Sequence, residues 1–250
     1  MKNVFLAIVL VGGCASYTSL NGKGQAEPLV TSNGVVFEVA DHYPDFSWQT
    51  VPTYMMFAHG KRLLKDAERR KIVGETDFIC IEKNHGLTTL GDAVLGLEYE
   101  NTAFKELKPG IKVLGYLNGA LTYPFTRYTK MLTAGEIDAH PEMKAFLVTD
   151  SKTGELAKTR GLYGYNVLNS EMRAWWSDAA ADMVRVSGAD GIFIDQMHGF
   201  SWLHPVEKRQ AVVDGVGDMM AQLKAKIGPD KILLANNGAH IEPVFEVSDA

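Results

Sequence analysis

Cysteine is nearly missing from this chain, with two in 250 residues. No disulfide framework can be built from that number once Cys14 is assigned elsewhere. Cys80 sits in the apolar run FICIE, where burial suppresses the thiolate, so it reads as a small core residue rather than a nucleophile. Clustered basic charge is missing too: 25 Lys and Arg against 30 Asp and Glu give a net charge of -5. Phosphate-backbone binding needs a basic patch, so nucleic acid is not expected as a partner. The densest basic stretch, KRLLKDAERRK at 61–71, mixes acids at helical spacing and reads as a solvated helix face. GxGxxG, GxxxxGK, GxSxG, HExxH, HxH and CxxC are all lacking, which removes phosphate cradles, the serine elbow and the common metal spacings. His59, His85, His198 and His204 have no ligand-like spacing, so no metal and no cofactor are expected. Repeats, coiled-coil heptads and low-complexity tracts do not occur.

What is present begins with MKNVFLAIVLVGGCAS, where one Lys precedes the apolar run Val4–Val11 and small residues precede Cys14. The run is too short for a membrane span and has the layout of a secretion signal. Leu10-Val11-Gly12-Gly13-Cys14 resembles a bacterial lipobox, in which the Cys is acylated after cleavage. That resemblance implies a signal peptide at 1–13, lipidation at Cys14, and an exported, membrane-anchored protein of the bacterial cell envelope. Ala15, where enteric inner-membrane lipoproteins commonly carry Asp, points to the outer membrane; secretion without acylation is the alternative. Residues 14–34, rich in Gly, Ser, Thr and Asn, read as a tether, leaving 35–250 as one domain.

From residue 53 onward, apolar runs alternate with amphipathic stretches: TYMMFAH, a helix over 65–75, DFICIEK, a helix over 92–107, then IKVLGYLN. Between 119 and 165 the pattern loosens into an inserted hairpin turning at Lys152-Thr153-Gly154. A helix capped by Asn169 or Ser170 and ended by Gly188 places Met172, Trp175, Trp176, Ala179, Met183 and Val184 on one stripe. DGIFID follows, then a helix through Val212, Val216, Met219, Met220, Leu223 and Ile227, and the strand KILLANN. Continuous apolar strands separated by helices predict a covered parallel sheet, either a βα barrel or an open doubly wound sheet. Both place chemistry at the carboxyl ends of the strands.

Those ends recur as polar clusters: Glu82-Lys83-Asn84-His85, Tyr116-Leu117-Asn118, Asp195-Gln196-Met197-His198 and Asn236-Asn237. Carboxylates and amides pair with sugar hydroxyls, which both donate and accept, and Tyr123, Tyr163 and Trp202 offer rings for stacking or for plain packing. Glycoside cleavage commonly needs two carboxyl groups, and Asp195 and Glu82 are the candidate pair. Asp195 also reads as a helix cap or Arg partner, and Glu82 as the partner of Lys83.

Three segments, FICIEKNHG, KVLGYLNGALTY and YNVLNSEMRAWWSDAAADMVRVSGADGIFIDQM, make the chain from about 50 to 250 similar to bacterial TIM-barrel glycosyl hydrolases, in particular hypothetical glycosyl hydrolase family 15. The resemblance implies an α/β fold of the (β/α)8 TIM-barrel type and Asp195 as a catalytic carboxylate. For Glu82 and Asn118 it implies only placement at the substrate. Six strands, at 53, 77, 111, about 164, 190 and 231, are expected here, against eight in a closed barrel. The chain is therefore expected to lack its last two βα units, with a second carboxylate there if Glu82 is not it. The expected function is hydrolysis of a polysaccharide or oligosaccharide, with Asp195 and Glu82 catalytic and Lys83, His85, Tyr116, Asn118, Gln196, Asn236 and Asn237 contacting substrate. Two alternatives stand beside it: a polysaccharide lyase using Lys83, His85 or Tyr116 as base, and a glycan-binding lipoprotein without turnover. Oligomeric state is not legible.

Overall fold

The apolar runs build a parallel sheet. In a computed structural model, residues 53–249 are described, together with 29–30, 36–37 and 42–44; the signal segment and Cys14 lie outside them. Strands β1 (Leu29–Val30) and β2 (Val36–Phe37) pair antiparallel, so the first of them falls within the stretch expected as tether. Then come β3 (Tyr54–Phe57), α1 (Asp66–Glu75), β4 (Phe78–Ile81), α2 (Leu87–Leu90), α3 (Ala93–Leu107) and β5 (Lys112–Asn118). After a long excursion holding β6 (Lys158–Thr159) and β7 (Leu162–Tyr163), the chain forms α4 (Ser170–Ser187), β8 (Gly191–Asp195), α5 (Phe200–Leu203), α6 (Arg209–Ile227), β9 (Ile232–Ala235) and α7 (Glu242–Phe245).

Strand order decides between the two candidate architectures. The sheet runs β3-β4-β5-β8-β9, every neighbour parallel, each new strand added on the same side. A doubly wound sheet reverses its order at a switch point, whereas a barrel winds one way. The two faces agree. Ile79, Ile81, Val113, Ile192, Ile194 and Leu233 point to the helix side and share one core with Val94, Leu97, Phe104, Trp176, Met183 and Val216. The alternate positions Cys80, Leu114, Tyr116, Phe193 and Ile232 form a second cluster built from sheet residues, the inside of the curve.

Local chemistry explains the helices. Asp92 caps α3 by accepting from Val94 N–H at 3.0 Å, and Asn169 caps α4 by accepting from Glu171 and Met172 N–H at 2.8 and 3.2 Å. Gly188 ends α4 at φ 67°, the left-handed conformation that glycine adopts freely. Gly96 lets α3 lie against the loop after β4, because a Cβ there would stand 2.1 Å from the His85 carbonyl oxygen.

One expected strand does not join the sheet. The segment near 164 pairs antiparallel, β6 with β7, and its backbone is claimed by Tyr165 N–H to Ala120 C=O and Val148 N–H to Gly164 C=O. With those groups used, β5 pairs directly with β8, and the parallel sheet among the described residues has five strands rather than six. The inserted hairpin forms where expected: Asp150 N–H donates to Glu155 C=O, Ala157 N–H to Val148 C=O, and Gly154 turns at φ 72°. Among the described residues no helix is long and apolar enough to cross a membrane.

Candidate active site

Strand alternation puts Glu82, Asn118, Asp195 and Asn236 at the carboxyl end of the inner face, one step above Cys80, Tyr116, Phe193 and Leu234. Register brings two of them side by side, since Asn118 of β5 is the Cα partner of Asp195 of β8.

Asp195 is the centre of this group. Its Oδ2 accepts from the Tyr116 hydroxyl at 2.5 Å, and its Oδ1 accepts from Asn236 Nδ2 at 2.9 Å and from Gln196 N–H at 2.8 Å. Three donors from three chain segments fix the carboxylate, and none is a cation. It is neither paired with an Arg nor the cap of a longer helix. Gln196 holds a left-handed backbone at φ 60°, and its side-chain Oε1 is buried without a hydrogen-bond partner. Behind Tyr116 stands Asn118, whose Nδ2 donates to the Tyr116 hydroxyl at 3.4 Å while its Oδ1 accepts from Ala120 and Leu121 N–H at 3.1 and 2.7 Å. Burial, and then the hydrogen bond given to Asp195, push the Tyr116 phenol well above its ordinary pKa.

Glu82 pairs with Lys83, both half-buried at the same rim. The Lys83 ammonium also lies 4.9 Å from the Tyr116 ring centroid and 5.7 Å from that of Tyr123. Tyr123 in turn stacks on Phe125 at 5.6 Å. Trp202 is 46% exposed, whereas Tyr163 is buried under Lys158. Asn237 is exposed at φ 61° and is not drawn into the Asp195 cluster.

His85 does not join the rim, which corrects its expected place against substrate. Its ring is fully buried, Nδ1 accepts from His59 N–H at 2.9 Å, and Nε2 therefore donates to Glu100 Oε1 at 2.9 Å. Both ring nitrogens are spent. Glu100 also accepts from Arg69 Nε at 2.7 Å and Leu64 N–H at 2.8 Å. Burial works to raise the Glu100 carboxyl, but these donors outweigh it and hold it below its usual range. Arg69 is thus a buried member of a stretch expected to be wholly solvated. The overlooked signal is the stripe Leu97, Glu100, Phe104 on α3, where a carboxylate among core positions demands a partner. His204 is also buried, and among the described residues no three His, Cys, Asp or Glu are grouped to hold a metal.

The family described as hypothetical glycosyl hydrolase family 15 matches residues 105–248. The chain belongs to this family. Its match spans β5 to α7 and so includes Tyr116, Asn118, Asp195 and Asn236, with Glu82 and Lys83 before its start. Among solved structures, the glycoside hydrolase domain of PelA from Pseudomonas aeruginosa is 18% identical with a TM-score of 0.55, over 79% of this chain and 64% of that one. Ega3 of Aspergillus fumigatus, solved with galactosamine, is 16% identical with a TM-score of 0.50, over 82% and 68%. An alpha-galactosidase of Thermus thermophilus is 16% identical with a TM-score of 0.50, over 74% and 38%. The chain therefore spans less than two thirds of the PelA domain and of the galactosidase. At these identities the likeness shows the fold, that of the TIM-barrel glycoside hydrolases. No curated protein matches the sequence.

Proposed function

We propose that this family member hydrolyses glycosidic bonds in a polysaccharide or oligosaccharide, with Asp195 as nucleophile or base. The observation that carries the reading is a carboxylate fixed on both oxygens by neutral donors at the rim of the inner face. A carboxylate held this way keeps its charge available for an oxocarbenium-like transition state. Glu82 is the candidate second carboxyl group, with Lys83, Gln196, Asn236 and Asn237 at the substrate hydroxyls. Ega3, whose fold is similar, was solved in complex with galactosamine, which favours a sugar as the ligand class.

The Glu82–Lys83 pair favours one second reading, since a carboxylate engaged by an ammonium serves binding as readily as catalysis. In that reading the protein binds glycans without turnover. The lyase reading has lost two of its bases: His85 has no free nitrogen, and the raised Tyr116 phenol is a poor source of phenolate. The test is a glycan panel incubated with the full chain, following new reducing ends and the ultraviolet absorbance of a new double bond. Reducing ends alone support hydrolysis. Added absorbance means a lyase, and saturable binding with neither signal means a binding protein.

Anchoring at the cell envelope through Cys14 is part of the proposal and rests on the lipobox-like sequence. Expression in a bacterial host with an alkynyl fatty acid should label the chain, and Cys14→Ser should abolish the label. Equal labelling of both would remove the anchor from the account.

A further inference from the structure

Tyr116 was expected to meet a sugar hydroxyl, yet its own hydroxyl is already engaged on two sides. The direction of every bond in its network can be assigned. Backbone N–H groups only donate, so Ala120 and Leu121 identify the Asn118 atom they meet as oxygen. The other Asn118 amide atom is then NH2, a donor, and it faces the Tyr116 hydroxyl. That hydroxyl must spend its single proton on Asp195, which as a carboxylate only accepts. The ring is fixed as well, stacked on Phe193 at a centroid distance of 5.9 Å and an interplanar angle of 16°, and Tyr116 is 5% exposed. The Asp195 backbone is tied to the same loop by Gly119 N–H donating to its carbonyl at 2.8 Å.

We infer that Tyr116, backed by Asn118, is a positioning residue that aims and stabilises the Asp195 carboxylate, and is not a substrate contact. The inference rests on the reading of Asp195 as the reacting carboxylate. The chain of donors runs from Ala120 and Leu121 N–H through Asn118 and Tyr116 to Oδ2, while Asn236 and Gln196 hold Oδ1. Both oxygens are thus held by hydrogen bonds, which orient the carboxylate. Glu82 and Lys83 follow β4 at the same end of the sheet, with the Lys83 ammonium over the Tyr116 ring and Cys80 one layer below.

Tyr116→Phe tests this with little risk to folding, because the ring and its stacking on Phe193 remain and only the hydroxyl leaves. Two readouts separate this inference from the reading beneath it. The first needs no turnover: carbon-13 NMR of the aspartate carboxyls in the full chain, with Asp195→Asn assigning the signal. Removing the hydroxyl takes a donor off Oδ2, so the Asp195 carboxyl resonance should move in Tyr116→Phe at one fixed neutral pH. An unmoved resonance overturns the inference. The second readout is kinetic, on whichever glycan the panel identifies. A positioning residue should lower kcat by ~10-fold or more with KM nearly unchanged. A raised KM at constant kcat would return Tyr116 to substrate binding. If no glycan is turned over, the hydrolase reading fails while the carboxyl resonance still decides whether Tyr116 holds Asp195.

Discussion

Glu100 and Asp195 each accept three hydrogen bonds, and their partners set them apart. Glu100 is fully buried and held by the Arg69 guanidinium, the His85 imidazole and Leu64 N–H. Asp195 is half-buried and held by a phenol, an amide and a backbone N–H. The Arg69 cation offsets the buried charge of Glu100, whereas neutral donors orient Asp195 without offsetting its charge. The type of donor, more than the number, sets these two carboxylates apart.

The largest expected effect concerns Asp195. Asp195→Asn keeps the shape and should cost ~100-fold or more in turnover, read as reducing ends, with the unfolding midpoint little changed. Next comes Glu100→Ala, which strands the Arg69 charge in the core and should cost ~3–5 kcal/mol by urea unfolding. If Asp195→Asn destabilised the fold as much as Glu100→Ala, the contrast would disappear.

Acid sharpens the same contrast. The Glu100 carboxyl is held below its ordinary range, so it contributes stability above its unfolded pKa of about 4.3 that is lost as pH falls through the lower folded value. The unfolding free energy should therefore drop on acidification below about pH 4.3, and Glu100→Gln should flatten that drop. A smaller effect is expected at Gln196, whose left-handed backbone at φ 60° strains a side-chain-bearing residue. Gln196→Gly should relieve that strain by ~1 kcal/mol at most in a thermal melt, since glycine also raises the entropy of the unfolded chain.

The architecture was largely legible because its signals are local. FICI, KVLGYLN and GIFID announce buried strands by continuous apolarity, and Asn169 and Gly188 mark the ends of α4 by their own chemistry. The strand near 164 was misplaced because pairing is not local: Tyr163 and Tyr165 suit any sheet, and only the claims of Ala120 and Val148 on that backbone put it outside the parallel one. At the rim, position after a strand pointed to Glu82, Asn118, Asp195 and Asn236, since alternation carries them all to the inner face. Position could not reveal direction. His85 lies three residues beyond Glu82 and turns into the core, because Glu100, on α3, offers it an acceptor.

The most direct test of the account measures turnover and unfolding of Asp195→Asn beside the unaltered chain, on one glycan from the panel. Turnover should fall by ~100-fold or more while the urea midpoint stays unchanged. Undiminished turnover, or a loss of activity matched by a loss of stability, would contradict the assignment of Asp195 as the reacting carboxylate.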